Sequence, residues 1–445
     1  MTMNTSAAAG LSPEAVIPLD ALDPDAPPDD LAWLDEAVGD ARVVAIGESA
    51  HYNRESYELR HRLLRHLAER HGFGAYAMES GFTEGWRADA WVRGADEPLG
   101  AVMAGGLTSL MGLWTPMRAH LEWMRRHNAT AARPLAFYGI DLPGSVASPL
   151  PGLDAVLAYL AAADPDFRPD PGLREGVAAF AAPSPFSAPA ALAAYTGLAQ
   201  GARDAVTAAL ADLTARLTSR RLACVARTGA AAYERALHTL RLTVTLDAVV
   251  RALARGDHQG AMNARDAAMA DTVDWILARE ERIVLAAHNG HLQRGPGVLP
   301  GMPPMMPLGL HLADRLGDGY LVIGATSGTG QILNTGPDFY TGTLFTPMEA
   351  PEPGSLDALM HAAGHDGPFA VDLRRLSPAD AEAVRGAARR RAGVGSFYAE
   401  QNALESFDLV VHLSRVTAAE PDQDAIAHAS DDVRRAFAAW TGGEG

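Results

Sequence analysis

Six ionisable side chains stand at or just past the ends of short apolar runs. Arg42–Ile46 is closed by Gly47 and delivers Glu48 and, three residues on, His51. Ala75–Met78 delivers Glu79, and Leu135–Ile140 delivers Asp141. Arg282–Ala287 delivers His288-Asn289-Gly290-His291. Apolar runs of this kind read as buried strands of a parallel sheet. In open α/β sheets, ligands sit at the carboxyl ends of the strands, so parallel pairing would bring all six side chains to one rim. Each has an ordinary reading on its own. Glu48 caps the helix that starts near Arg54, His51 is a loop histidine, and Asp141 is a turn residue before Leu142-Pro143. Four such placements in one chain point to a common site, and His288-Asn289-Gly290-His291 presents two imidazoles and an amide on a single turn.

The set offers carboxylates and imidazoles but no nucleophile. G-x-S-x-G is absent, so there is no serine elbow. All 37 basic residues are arginine, which excludes a P-loop lysine and a lysine Schiff base. The lone Cys224 excludes internal disulfides and multi-cysteine metal centres. G-x-G-x-x-G and H-E-x-x-H are also missing. Water remains as the nucleophile. A histidine with a pKa of about 6.5 can take its proton, oriented by a carboxylate, while a cationic or protonated group steadies the oxyanion. Imidazoles and carboxylates also form zinc and iron shells. The spacings here match no zinc motif, however, and two glutamates beside two or three histidines can form a self-contained network. The expected site holds no metal and no cofactor.

The elements that must position this set alternate. After the four strands above come Tyr320–Ala325, Phe369–Leu373 and Phe407–Val411. Helical spacing, such as Leu59, Leu63, Leu64, Leu67 and Ala68, fills the gaps. This implies an α/β fold: a central, largely parallel sheet flanked by helices. Residues 150–262 differ in texture. They are Ala-rich and helical over 191–217 and 233–253, with a Pro-rich break at 181–189; 242–250 fits helix or strand. The expected organisation is a first half of the catalytic core at 1–149, a helical insertion shaping the cleft at 150–262, and the second half at 263–445. His61, His66 and His71, interleaved with Arg60, Arg62, Arg65 and Arg70, read as a solvated helix face.

The 445 residues carry 37 basic and 54 acidic side chains, a net charge of −17. That balance argues against binding nucleic acid or anionic membranes. No apolar run reaches the roughly 18 residues of a membrane span. The opening MTMNTSAAAG lacks the basic and apolar regions of a signal peptide, so the expected location is cytoplasmic. Nothing in the sequence sets an oligomeric state.

The residues together resemble the erythromycin esterase family. VVAIGESAHYNRESYELRHRLLRHLAERHGF and AYAMESGFTEG resemble its opening, and LWTPMRAHLEWMRRHN with LAFYGIDLPG its next segment. RDAAMADTVDWIL, IVLAAHNGHLQR and SFDLVVHLSRV resemble its downstream core and last strand. The resemblance implies a water-dependent, metal-independent esterase acting on a macrolide or another bulky ester or lactone. It carries G-E-x-x-H onto Gly47, Glu48 and His51, the following helix arginine onto Arg60, the strand-two glutamate onto Glu79, and the paired histidines onto His288 and His291. His51 is then the general base, oriented by Glu48 or Glu79, with His288 and His291 positioning water or polarising the carbonyl. Arg60 would hold a carboxylate through its planar fork. Tyr52, Asn53, Asp141 and Asn289 are the expected substrate contacts. Tyr52 and Asn53 stand where the family's first motif usually continues with glycine. An alternative keeps the site but runs another acid/base step, cyclisation or elimination, in natural-product biosynthesis.

Overall fold

Val43-Val44-Ala45-Ile46 is wholly buried because it lies near the middle of a sheet covered on both faces. The structure is a computed structural model describing residues 10–298, 301–392 and 397–442. Its strands are β1 (Ile17–Pro18), β2 (Val43–Ile46), β3 (Ala75–Gly81), β4 (Ala136–Asp141), β5 (Ile283–Ala286) and β6 (Tyr320–Leu333). They continue with β7 (Phe345–Met348), β8 (Phe369–Asp372), β9 (Arg389–Ala392), β10 (Phe397–Glu400) and β11 (Leu409–Val416). The main sheet has the order β1-β8-β11-β6-β2-β5-β3-β4, with β7 added to the end of β6; β9 and β10 form a separate hairpin. From β11 to β4 all pairings are parallel, whereas β8 runs antiparallel to β11 and β1 antiparallel to β8. The expected α/β class, a largely parallel sheet between helices, is what the chain adopts.

Side-chain alternation divides the core in two. Val44, Ile46, Tyr76, Met78, Val284 and Ala286 enter one apolar cluster, and Val43, Ala45, Ala75, Ala77, Ile283 and Leu285 enter the other. The register aligns the strand ends. Ile46 and Met78 both pair with Ala286, and Met78 pairs with Gly139. The chain therefore leaves β2, β5, β3 and β4 at one level, which sets Glu48, His288, Glu79 and Asp141 along a single rim. β3 and β4 run further than their apolar runs suggest, so Glu79 and Asp141 lie within the strands.

The helix Arg54–His71 follows β2, and the structure corrects its reading as a solvated face. Arg60, His61, Arg62 and His66 are buried, leaving Arg65, Arg70 and His71 toward solvent. The N-terminal segment and the helix Thr115–Asn128 cover the rest. Arg62 pairs with Asp30 at 2.5 and 2.8 Å. His61 stacks on His120 with ring centroids 4.8 Å apart; burial holds His61 down at about 3. Asp35 accepts from His66 and His71, each at 2.6 Å. Polar side chains that look solvated in one dimension are paired in three.

Residues 150–253 are helical throughout their longer elements, and the ambiguous 242–250 stretch lies inside the helix Ala230–Leu253. One cluster, including Leu153, Leu160, Leu210, Leu217 and Tyr233, belongs to this segment alone. A second joins Leu246 and Val249 to Phe82, Leu142 and Ala268 and fastens the segment to the sheet. The helix His258–Leu277 runs through the expected boundary at 262. Among the described residues, no helix is long and apolar enough to cross a membrane.

Candidate active site

Gly47 ends β2 because no side chain fits there: a Cβ would stand 2.1 Å from the Asn289 amide oxygen. That amide belongs to the sheet. Asn289 donates to the Ala325 carbonyl (2.7 Å) and accepts from the Ala325 N–H (3.0 Å), while its own N–H bonds the Glu48 carbonyl at 2.9 Å. Asn289 thus ties the β5 turn to β2 and β6, and its side chain has no contact with the cavity described below.

Glu48, 1% exposed, divides its carboxylate. Oε1 lies 2.6 Å from His51 Nδ1, and Oε2 accepts from Arg60 Nη1 at 2.8 Å. Arg60 also donates to the Ala287 carbonyl at 2.7 Å. A fixed Glu48 leaves His51 Nε2 facing outward, with no hydrogen bond to it among the described residues. Burial lowers the pKa of His51, but the Glu48 charge and hydrogen bond outweigh this and raise it above 6.5.

Tyr52 adopts φ 62°, a left-handed conformation that a bulky side chain takes only when its surroundings compel it. Three contacts do so. Its hydroxyl donates to the Ser109 carbonyl, its ring stacks on Trp114 at 5.3 Å, and its carbonyl accepts from Ala419 N–H at 2.9 Å. Asn53 donates to the Gln331 and Thr417 carbonyls at 2.9 and 3.3 Å. These two residues hold the His51 turn from behind and lie outside the cavity lining.

Glu79 is the second hub. Oε2 accepts the His288 N–H at 2.9 Å; Oε1 lies 3.0 Å from Arg265 Nη2 and 3.2 Å from His291 Nε2. Burial opposes its charge, but His291, His51 and Arg265 hold it well below the usual carboxylate range. Asp141 grips Arg265 in a fork at 2.9 and 2.6 Å, so it positions a cation and has no contact with the cavity. His291 Nδ1 meets Asp266 at 2.7 Å. Asp266 and Glu79 overcome burial and the Arg265 charge and raise His291 to about 10, which makes it an imidazolium at neutral pH. His288 is the opposite case. Its Nδ1 accepts from the Gly290 N–H at 3.0 Å. Burial and the His51 and Arg390 charges keep it well below 6.5, so it is neutral with its proton on Nε2. The His51 and His288 rings meet edge to face, 5.4 Å apart.

His51, Glu79, Arg265, Asp266, His288 and His291 open on one cavity of about 260 Å³. Gly297, Val298, Met305 and Pro307 form one wall, and Arg390, Ala392, Ala399, Glu400 and Gln401 the other. Met262 is the cavity's contribution from the 150–262 segment. The arrangement combines a base with a free ring nitrogen, a neutral imidazole whose Nε2 lies 3.4 Å from the Ser49 carbonyl, and three cations, Arg265, His291 and Arg390, around one space.

Arg265, Asp266 and Arg390 were not foreseen from strand ends, because Arg265 and Asp266 lie on a helix and Arg390 on a hairpin. A signal was present for the first two. They share a helix stripe with Met269 and Val273, and charged residues inside an apolar stripe need partners. Among the described residues, the group of His, Asp and Glu ligand atoms close enough to share one metal ion is Asp35, His66 and His71, at the far end of the helix Arg54–His71.

Comparison with known proteins identifies the family. The sequence profile of the erythromycin esterase family matches residues 68–416, a span that begins after His51 and Arg60. Erythromycin esterase type II of Escherichia coli is 29% identical over 422 residues, 91% of this chain and 96% of that protein. Erythromycin esterase type I of Escherichia coli is 25% identical over 289 residues, 64% of this chain and 70% of that protein. Two solved structures share the fold. A variant of the erythromycin esterase EreC in its open conformation has a TM-score of 0.74 at 24% identity, covering 90% of this chain and 97% of that one. A Bacillus cereus protein has a TM-score of 0.75 at 19% identity, covering 92% and 97%. The chain belongs to the erythromycin esterase family.

Proposed function

We propose that the protein hydrolyses an ester or lactone bond in a bulky natural product of the macrolide type, with water activated by His51. The observation that carries this reading is the Arg60–Glu48–His51 chain, which turns a free imidazole nitrogen toward a cavity bordered by the His291 cation. His51 Nε2 takes a proton from water as the oxygen attacks the carbonyl carbon. Glu48 holds the other ring nitrogen as N–H and stabilises the imidazolium that forms. The negative charge on the carbonyl oxygen develops where His291 and Arg265 supply fixed positive charge, and such preorganised charge is commonly the largest catalytic contribution. Collapse breaks the bond to the alkoxide, which takes the proton back from His51, and leaves an alcohol and an acid.

A cavity of about 260 Å³ is smaller than the roughly 300–1,000 Å³ of sites that enclose drug-sized ligands. It suits the ester-bearing edge, with the rest of the substrate lying over the mouth between Val298 and Glu400. The macrolide assignment is supported by the family and by the two Escherichia coli relatives. The test is turnover of erythromycin and a panel of lactones and esters by the wild-type chain and by His51→Ala. The expected result is gain of the mass of one water by at least one member, lost in the variant by about 10²–10⁴-fold or more. Equal turnover by both chains would overturn the role of His51.

A further inference from the structure

Arg390 lies in β9, is 4% exposed, and lines the same cavity as His51. All its partners are neutral. Nε donates to Gln401 Oε1 at 2.5 Å, Nη1 to the Arg391 carbonyl at 2.5 Å, and Nη2 more loosely to Gln293 Oε1 at 3.5 Å. The two glutamines are themselves fixed. Gln401 donates to Gln293 at 2.9 Å, and Gln293 donates to the Gly295 and Pro296 carbonyls at 3.1 and 3.0 Å. A guanidinium has five N–H groups. Three are engaged, and the other two have no partner among the described residues.

Two other cations of this region have carboxylate partners. Arg60 has Glu48, and Arg265 has Asp141 and Glu79. Arg391 points to the opposite face of the hairpin strand, where the Ser327, Gly328 and Glu349 carbonyls and the Tyr398 hydroxyl accept its hydrogen bonds. No carboxylate among the described residues lies within ion-pair distance of Arg390. Glu79 and Asp266 are neutralised by Arg265 and His291, and Glu400 is exposed to solvent at the mouth. Burial pushes Arg390 down to about 10, and the charge of the buried Asp357, which lies beyond ion-pair distance, offsets only part of this. A buried cation is costly unless it is paired. A fixed planar fork with spare donors matches a carboxylate or similar oxyanion.

Resting on the hydrolytic reading of the site, we propose that Arg390 forms an anion subsite, so that the substrate carries a carboxylate or equivalent anionic group beside the ester that faces His51. The partner of Arg390 is then the ligand itself. Neutral esters fill the cavity but leave the cation unpaired.

The test compares half-esters with their neutral diesters: monomethyl against dimethyl succinate, glutarate and adipate, whose lengths bracket the span between the two groups. Binding is measured by calorimetry on the full chain carrying His51→Ala, which prevents turnover, with Arg390 intact, as Arg390→Gln, and as Arg390→Lys. With Arg390, one half-ester binds at least about 10-fold more tightly than its diester, as expected of hydrogen bonds to charged groups. Arg390→Gln abolishes the preference, and Arg390→Lys restores part of it. Equal binding of half-ester and diester, failure of every half-ester to bind, or a preference that survives Arg390→Gln would overturn the proposal. Half-ester binding through Arg390 without turnover of any ester by the wild type would leave the subsite standing and remove the hydrolase reading. Turnover of neutral esters with no charge preference would do the reverse.

Discussion

Replacing Glu48 by glutamine removes one negative charge and leaves the shape nearly unchanged. The buried carboxylate serves two donors, His51 Nδ1 at 2.6 Å and Arg60 Nη1 at 2.8 Å. An amide serves only one of them well. The buried Arg60 charge claims the amide oxygen, so the NH₂ group turns to His51 Nδ1. That nitrogen must then accept, and the ring proton moves to Nε2, the atom that should take the proton from water. A wrong tautomer of this kind costs about 10⁴-fold in a histidine-dependent hydrolase. Stability falls as well, because breaking a buried ion pair costs about 3–5 kcal/mol. The double variant Glu48→Gln/Arg60→Met removes the stranded cation and frees the amide oxygen to accept from His51 Nδ1. Its urea midpoint recovers most of the stability loss, and turnover per folded molecule rises again as the ring proton returns to Nδ1. The assay is kcat/KM by chromatography of the released acid, alongside urea unfolding of all three chains. Near wild-type turnover by Glu48→Gln would refute the orienting role of Glu48. Turnover per folded molecule in the double variant no higher than in Glu48→Gln would refute the tautomer argument.

The raised His51 must lose its proton to work, so kcat/KM rises with pH on an acid limb whose midpoint lies above 6.5; a midpoint below 6 is the contrary result. His291, raised to about 10, stabilises the fold fully below its unfolded value of about 6.5, and this contribution is lost as pH rises toward 10. Urea midpoints of the wild type should therefore decline over that window more than those of His291→Gln. His66→Ala removes a buried imidazole and one of the two donors to the solvent-exposed Asp35 and should cost about 0.5–3 kcal/mol of stability, with turnover per folded molecule unchanged. Dialysis against a strong chelator should leave turnover unchanged; loss on chelation and recovery with one metal would make His51 a ligand.

The α/β class was legible because four strands begin with short apolar runs that end in polar or turn residues. Parallel pairing then brings Glu48, His288, Glu79 and Asp141 to one rim, a consequence of register that no single residue carries. Other features were hidden because they depend on partners distant in sequence. Arg60, His61 and His66 look solvated until Asp35, His120 and the β2 turn close around them. Tyr52, Asn53 and Asn289 have the composition of ligand contacts, yet their side-chain donors are engaged by backbone carbonyls of Ser109, Gln331, Thr417 and Ala325. Arg265 and Arg390 reach the cavity from a helix and a hairpin, where strand-end reasoning does not look.

In the proposed mechanism water attacks the ester directly and no side chain becomes acylated. Rapid-quench mass spectrometry of the intact protein during turnover in oxygen-18 water tests it most directly. Direct attack by water leaves the protein mass unmodified at every time point while the acid product gains one labelled oxygen. A protein species heavier by the acyl group, rising and decaying at the catalytic rate, would contradict it.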